Sequence, residues 1–212
     1  MYLARVAAVN GGLPIETPAV TMNRLCGSGL QAIISATQQI ELGVCDAAVA
    51  GGAEVMSQSQ YWMQTARFGQ RMGDAAIVEA MVGALTCPFD NTHMGITDEN
   101  IAEKWQISRE DQDALAVLSH NNAERAITEG RFKEQIVPVE LKSRKGVTVF
   151  DTDEHLRYGC TSDDMATLRP DFKKDGSGTA GKASGPTDAT EAVPLMSAET
   201  AETTGLKSMA RR

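Results

Sequence analysis

One cysteine of this chain stands where a thiol can act as a nucleophile. Cys26 lies in Asn23-Arg-Leu-Cys-Gly-Ser-Gly-Leu30, after the short run Pro18-Ala-Val-Thr-Met22. Beyond it, Leu30, Ile33, Ile34, Thr37 and Ile40 recur at helical spacing, while Gly27 and Gly29 punctuate the junction. The spacing predicts an extended segment, a turn and a helix, with Cys26 just before the first helical turn. The free N–H groups and dipole of a helix start favour negative charge, and a thiolate is the attacking form of a thiol. Small neighbours leave the sulfur uncrowded and let a substrate carbonyl approach the backbone. The competing reading is a buried structural cysteine.

The elements that must position this thiol are read on either side of it. Met1 to Val9 is predicted as a short helix, stopped by Asn10-Gly-Gly-Leu-Pro14. After the Cys26 helix, Gly43 turns the chain into a small strand, Asp46 to Ala50, that runs into Gly51-Gly52. Strand, helix, strand is the order of a parallel sheet, so the fold class expected is α/β. Gly51 and Gly52 are assigned to close packing near the Cys26 turn rather than to a phosphate cradle.

From Ser57 to about Ser184 the character changes to short helices, few strands and many Gln, Met and Arg residues. Arg67 and Arg71, near Trp62 and Phe68, suit a subunit contact, an anion-facing loop or a solvated loop. Asp74 to Leu85 is predicted helical, with Ile77, Val78, Met81 and Val82 on its apolar face. Ser108 is predicted to cap a helix running to about Glu129, with Leu115, Leu118, Ala126 and Ile127 on its buried side. Ile136 to Leu141 and Val147 to Phe150 read as strands joined by a turn at Lys142 to Gly146. A last short helix is expected at Glu199 to Thr203, followed by Gly205 and a basic end.

Composition limits the function classes. The 212 residues can bury a core in one large or two small domains, and 42% hydrophobic with 23% charged residues is ordinary for a globular protein. A net charge of −8 argues against nucleic acid or an anionic membrane as partner. No apolar run approaches bilayer length and no signal-peptide pattern opens the chain, so the expected compartment is the cytoplasm. Cys26, Cys45, Cys87 and Cys160 have no Cys-x-x-Cys spacing and the three histidines do not cluster with them, so neither a metal site nor a disulfide framework is expected.

The segment Asn23 to Leu30 resembles the nucleophile segment of the thiolases, acyl-CoA acetyltransferases that make or cleave 3-ketoacyl-CoA. Three further stretches match in order: Ala50-Gly-Gly-Ala-Glu-Val-Met-Ser57, His93-Met-Gly-Ile-Thr-Asp-Glu-Asn100, and Leu168-Arg-Pro-Asp-Phe172 with Ala180-Gly-Lys-Ala-Ser-Gly185. The resemblance looks closest to the bacterial β-ketothiolases. It implies a partial thiolase-like core, a parallel-type sheet with helices, plus a mixed α+β loop domain that holds coenzyme A. Residues 1–57 would belong to the core, 58–184 to the loop domain, and 185–212 to a truncated return into the core. Because thiolases begin with a strand and helix layer that has no counterpart here, Met1 is expected to be an internal start.

The same resemblance assigns roles. Cys26 would form the acyl-enzyme. His93 and Met94 would contact the pantetheine arm near the thioester, so His93 would not be the general base. Arg157 would meet the nucleotide, Leu85 and Phe172 the adenine or arm, and Ala180, Gly181 and Ser184 the pantetheine; His120 and His155 are left as surface residues. Coenzyme A or acyl-CoA would be substrate, with no covalently bound cofactor. The family's Gly-His-Pro base, its C-terminal catalytic cysteine and its Asn-Glu-Ala-Phe segment do not occur in the sequence. Lys182 replaces an Asn, which would set a charged chain beside the arm, while Glu191 and Pro194 sit in a stretch expected to form a strand, where Pro removes a donor.

Two functions from different classes follow: acetyl transfer by a thiolase, and a catalytically incomplete CoA-binding or interaction module. A condensing enzyme of fatty-acid or polyketide synthesis shares the cysteine-on-helix layout but gives no reason for the His93-Met94 segment. With half the family's sheet layer missing, the Leu30 helix and the Ala47 to Ala50 strand are expected to expose apolar faces. The expected partner is a second copy or a complementary C-terminal thiolase half.

Overall fold

The computed structural model describes residues 2–210 and divides into two compact units, 1–55 with 188–212, and 56–187. The expected helix start at Met1 and the basic end at Arg211 and Arg212 lie outside the described residues. The chain is α/β, its strands pairing as three two-stranded antiparallel sheets among the described residues.

The first unit begins with α1 (Leu3–Asn10), followed by a segment without regular structure. The expected extended run at Pro18 to Met22 forms no strand; α1 holds this segment and the residues before it. Arg5 donates to the carbonyls of Ile15 and Thr17, both at 2.6 Å, and Ala4 N–H donates to Thr21 Oγ1 at 3.2 Å. Helix α2 (Ser28–Glu41) then packs on strand β1 (Ala47–Val55), with Ile33, Ile34, Thr37 and Ile40 half-buried.

The second unit opens with β2 (Tyr61–Trp62), which pairs with β3 (Val78–Glu79). The helix predicted from Asp74 starts only at α3 (Ala80–Ala84). Glu79 is extended and its carboxylate accepts the N–H groups of Met81 and Val82, at 3.2 and 2.7 Å, so the cap fixes a later start and frees Val78 for the strand. Helix α4 (Met94–Trp105) is capped by His93. Helix α5 (Arg109–Thr128) is capped by Ser108, as its sequence predicts. Leu115 and Leu118 are 67% and 56% exposed, against expectation. Ala126 and Ile127 do lie on the inner side, which also carries Arg109, Asp113, His120 and Glu124. An apolar count misses those polar members. Strands β4 (Val139–Ser143) and β5 (Gly146–Phe150) form the expected hairpin, and α6 (Ser162–Ala166) starts on a reciprocal Thr161–Asp164 capping box.

The chain returns to the first unit as β6 (Asp188–Met196) and ends in α7 (Ala198–Thr204). β6 runs antiparallel to β1 along its whole length, from Ala47 opposite Met196 to Val55 opposite Asp188. The parallel pairing expected from local strand–helix–strand order is therefore not what β1 makes; its partner returns from much later in the chain, running the other way. Pro194, opposite Val49, lies in a two-stranded sheet, where a missing donor can face outward. Gly51 has no room for a Cβ against the backbone of Glu191 and Ala192, and Gly29 faces Gly52. Those small residues let α2 and β6 close on β1, the packing use assigned to the glycine pair. Leu30 and Val49 stay 65% and 59% exposed.

Candidate active site

The nucleophile candidate sits in a turn that its own short sequence closes. Gly27 is the N-cap position of α2 and supplies no side chain to it. Ser28 bonds back into the turn: its hydroxyl accepts Arg24 N–H at 2.8 Å and donates to the Leu25 carbonyl at 2.6 Å. Asn23 Oδ1 accepts Leu25 N–H at 2.8 Å. These bonds keep Leu25 at φ 50°, a left-handed conformation that a leucine rarely adopts. Cys26, immediately after it, is free and exposed, so the buried structural alternative does not hold for this thiol.

Several candidate binding residues of the second unit lie against one another. A tight turn pairs Thr86 with His93 and brings Met94 N–H to the Leu85 carbonyl at 2.8 Å, so Leu85 and Met94 are fixed side by side. His93 Nδ1 accepts Gly95 N–H at 3.1 Å, which places its ring proton on Nε2. The same imidazole stacks on Phe172, ring centroids 5.3 Å apart and planes 18° apart. Gly95 lies so close to the Phe172 ring that a Cβ would collide with it.

Phe172 leads into the next wall. Pro170 bridges to Thr179, and Asp171 N–H donates to the Gly178 carbonyl at 2.9 Å. The loop is held from α4 by Glu99, 4% exposed, whose carboxylate accepts Ser177 N–H at 2.9 Å and Gly178 N–H at 2.7 Å. Burial pushes the Glu99 carboxyl up, but those N–H groups, the Ser177 hydroxyl and the Lys173 charge together bring it below the ordinary value. Gly181 is buried against Met165 and Leu168, whereas Ala180 and Ser184 are exposed.

Lys182 carries its charge toward α5: its side chain is only 13% exposed and its ammonium lies 3.0 Å from Asp113 Oδ1. That contact is a charge pair without hydrogen-bond alignment. The other oxygen of Asp113 accepts from Arg109 Nε at 2.7 Å, and Arg109 also donates to the carbonyls of Met165 and Leu168, at 2.7 and 3.1 Å.

Arg157, exposed, borders a pocket of about 330 Å³ with Tyr158, Cys160, Asp164, Thr167 and Leu168. Burial pushes the Cys160 thiol up, Asp164 adds to this and Arg157 opposes it, so that thiol stays protonated at neutral pH. Asp164 is held below the usual carboxylate range, chiefly by the Thr161 hydroxyl and backbone N–H. His155 is exposed and lies over Gly185. His120, expected at the surface, is half-buried between two segments of this unit. The signal that could have found it is its helical spacing with Asp113 and Glu124.

Comparison with known proteins follows this geometry. The family model described as "Thiolase, N-terminal domain" matches residues 1–199. The β-ketothiolase BktB of Cupriavidus necator is 57% identical over 212 residues, all of this chain and 54% of that protein. The solved acetyl-CoA acetyltransferase of Syntrophomonas wolfei superposes with a TM-score of 0.94 at 43% identity, covering 98% of this chain and 52% of that one. Human mitochondrial 3-ketoacyl-CoA thiolase in complex with CoA superposes with a TM-score of 0.91 at 37% identity, covering 97% and 51%. The chain thus spans about half the length of the relatives it matches. With its nucleophile segment, its fold and nearly all of its sequence matched, the chain belongs to the thiolase family.

Proposed function

We propose that this chain performs the acyl-transfer half of thiolase chemistry, with Cys26 as nucleophile and coenzyme A or acyl-CoA as substrate rather than as a covalently bound cofactor. The Cys26 thiolate attacks the thioester carbonyl of an acyl-CoA; the C–S bond breaks and coenzyme A leaves, taking a proton. In the degradative direction the thiolate attacks the 3-keto carbon of a 3-ketoacyl-CoA. The C2–C3 bond then breaks, and acetyl-CoA leaves after its α-carbon takes a proton. The observation that carries this reading is the exposed Cys26 on a strained turn at the start of α2, in a sequence 57% identical to a β-ketothiolase.

Coenzyme A is anionic at its nucleotide and slender along its amide-bearing arm, so it needs a basic clamp and a narrow, partly apolar wall. Arg157 supplies the first. Leu85, His93, Met94 and Phe172 supply the second, continued by Ala180, Gly181 and Ser184 along the pantetheine. In this reading residues 1–57 and 185–212 are the nucleophile core and its return, and 58–184 the CoA-binding loop domain. The exposed faces at Leu30 and Val49 take a second copy or a complementary C-terminal thiolase half. No helix among the described residues is long and apolar enough to cross a membrane; with the acidic balance, this supports a cytoplasmic protein with neither nucleic acid nor membrane as partner.

A second reading, a CoA-binding module without turnover, is favoured by one observation. His93 Nδ1 is taken up by the α4 cap. Intact-mass spectrometry after incubation with acetoacetyl-CoA separates the two. An acetyl adduct on the wild-type chain that disappears in Cys26→Ala is the expected result. No adduct on a folded chain that still binds CoA by titration would leave the module.

A further inference from the structure

We propose that His120 is a positioning residue that couples the two ends of the coenzyme A cradle, an inference that rests on the CoA reading above. Its imidazole bonds at both nitrogens. Arg157 N–H donates to Nδ1 at 3.2 Å, and Nε2 lies 3.2 Å from the Gly181 carbonyl oxygen. A backbone N–H pointing at Nδ1 requires a lone pair there, so the ring proton resides on Nε2 and is donated to Gly181. The ring therefore works as a neutral two-ended link, one end accepting and the other donating. It joins the segment assigned to the nucleotide with the loop assigned to the pantetheine.

The neighbours on α5 make one-sided anchors of the same two segments. Glu124, one turn further along, accepts Gly159 N–H at 2.7 Å and so holds only the Arg157 side. Asp113, two turns back, holds only the loop, through Lys182 at 3.0 Å. Among these three residues His120 alone touches both. Gly181 packs on Met165 and Leu168, and Leu168 and Arg157 border the same pocket of about 330 Å³. A shift of either segment would thus change the spacing between the site's two ends. That spacing matters for intact coenzyme A and not for its separate pieces.

The test is titration of the full chain with coenzyme A, with 3′,5′-ADP and with pantetheine, each followed calorimetrically, for wild type, His120→Ala, His120→Gln and His120→Asn. Glutamine presents an acceptor oxygen and a donor nitrogen in the same order as the ring; asparagine is too short to span both partners. The expected result is a loss of about tenfold in affinity for coenzyme A in His120→Ala, the scale of two lost neutral hydrogen bonds. His120→Gln should recover most of it and His120→Asn should not, with both fragments bound as in wild type. Where the alanine variant fails to fold, the glutamine and asparagine pair carries the comparison. Coenzyme A binding indifferent to all three substitutions overturns the proposal alone, as does equal weakening of coenzyme A and both fragments, the mark of a merely structural role. A wild-type chain that binds no coenzyme A overturns the CoA reading and this proposal with it.

Discussion

The two units use opposite means to hold a reactive segment in place. The first relies on backbone: a nine-residue antiparallel ladder between β1 and β6, glycines at Gly29, Gly51 and Gly52, and no fully buried residue on α2. In the second, buried and half-buried polar side chains reach backbone that is far away in sequence: Glu99 to the Ser177–Gly178 loop, Arg109 to Met165 and Leu168, His120 to Arg157 and Gly181. A turn that must present one thiol can be closed locally. If the second unit holds a long ligand as proposed, it needs several segments set at fixed distances, and buried hydrogen bonds supply direction that apolar contacts lack.

The strongest way to break this comparison is Asp113→Ala, which strands the mostly buried Lys182 and removes an Arg109 partner. Leaving one partner of a buried pair uncompensated costs about 3–5 kcal/mol, so hydrogen exchange should show loss of protection across the second unit while the β1–β6 ladder keeps its own. Equal loss in both units would end the distinction. Next is Gly51→Ala, in the opposite sense. Its Cβ has no space against Glu191, and overpacking of about 1–3 kcal/mol should weaken the ladder and leave the second unit's melting untouched.

A pH series sharpens the contrast further. The Glu99 carboxyl is lowered in the folded state, so its contribution is fully present above its unfolded value near 4.5 and is lost as pH falls through the lower folded value. Acid should therefore release the Ser177–Gly178 loop in that window, and Glu99→Gln should flatten the response; a wild-type profile in the variant would show that Glu99 is not the group concerned. The smallest effect is expected of Leu115→Ser, which touches only the exposed face of α5 and should change stability by less than about 0.5 kcal/mol. A larger loss on melting would mean that this face is covered in solution.

Local chemistry was legible in the sequence where the rule is local. Ser108 announces α5 because a serine before two acidic residues satisfies free N–H groups, and the Ser28–Glu41 helix follows from its apolar period. The α/β class and the thiolase relationship were readable from the motifs around Cys26 and His93. What escaped was set by residues distant in sequence. The partner of β1 is β6, which no local strand–helix–strand order can name. Val78 goes to a strand because Trp62 pairs with it, and Glu79 then caps a shorter helix. His120 reads as a surface histidine because the sequence does not reveal that α5 packs its polar stripe inward.

The bonds that close the Cys26 turn span no more than four residues, from Asn23 to Leu25 and from Ser28 back to Arg24 and Leu25. The bonds that Glu99, Arg109, His120 and Glu124 make to distant backbone in the second unit span 35 to 79 residues. Closing short loops is entropically cheap and fast, so the Cys26 turn is expected to close before the long-range bonds of the second unit. An alkylating reagent added during refolding should therefore find Cys26 presented before those bonds have formed, and the thiol would meet oxidants during that interval.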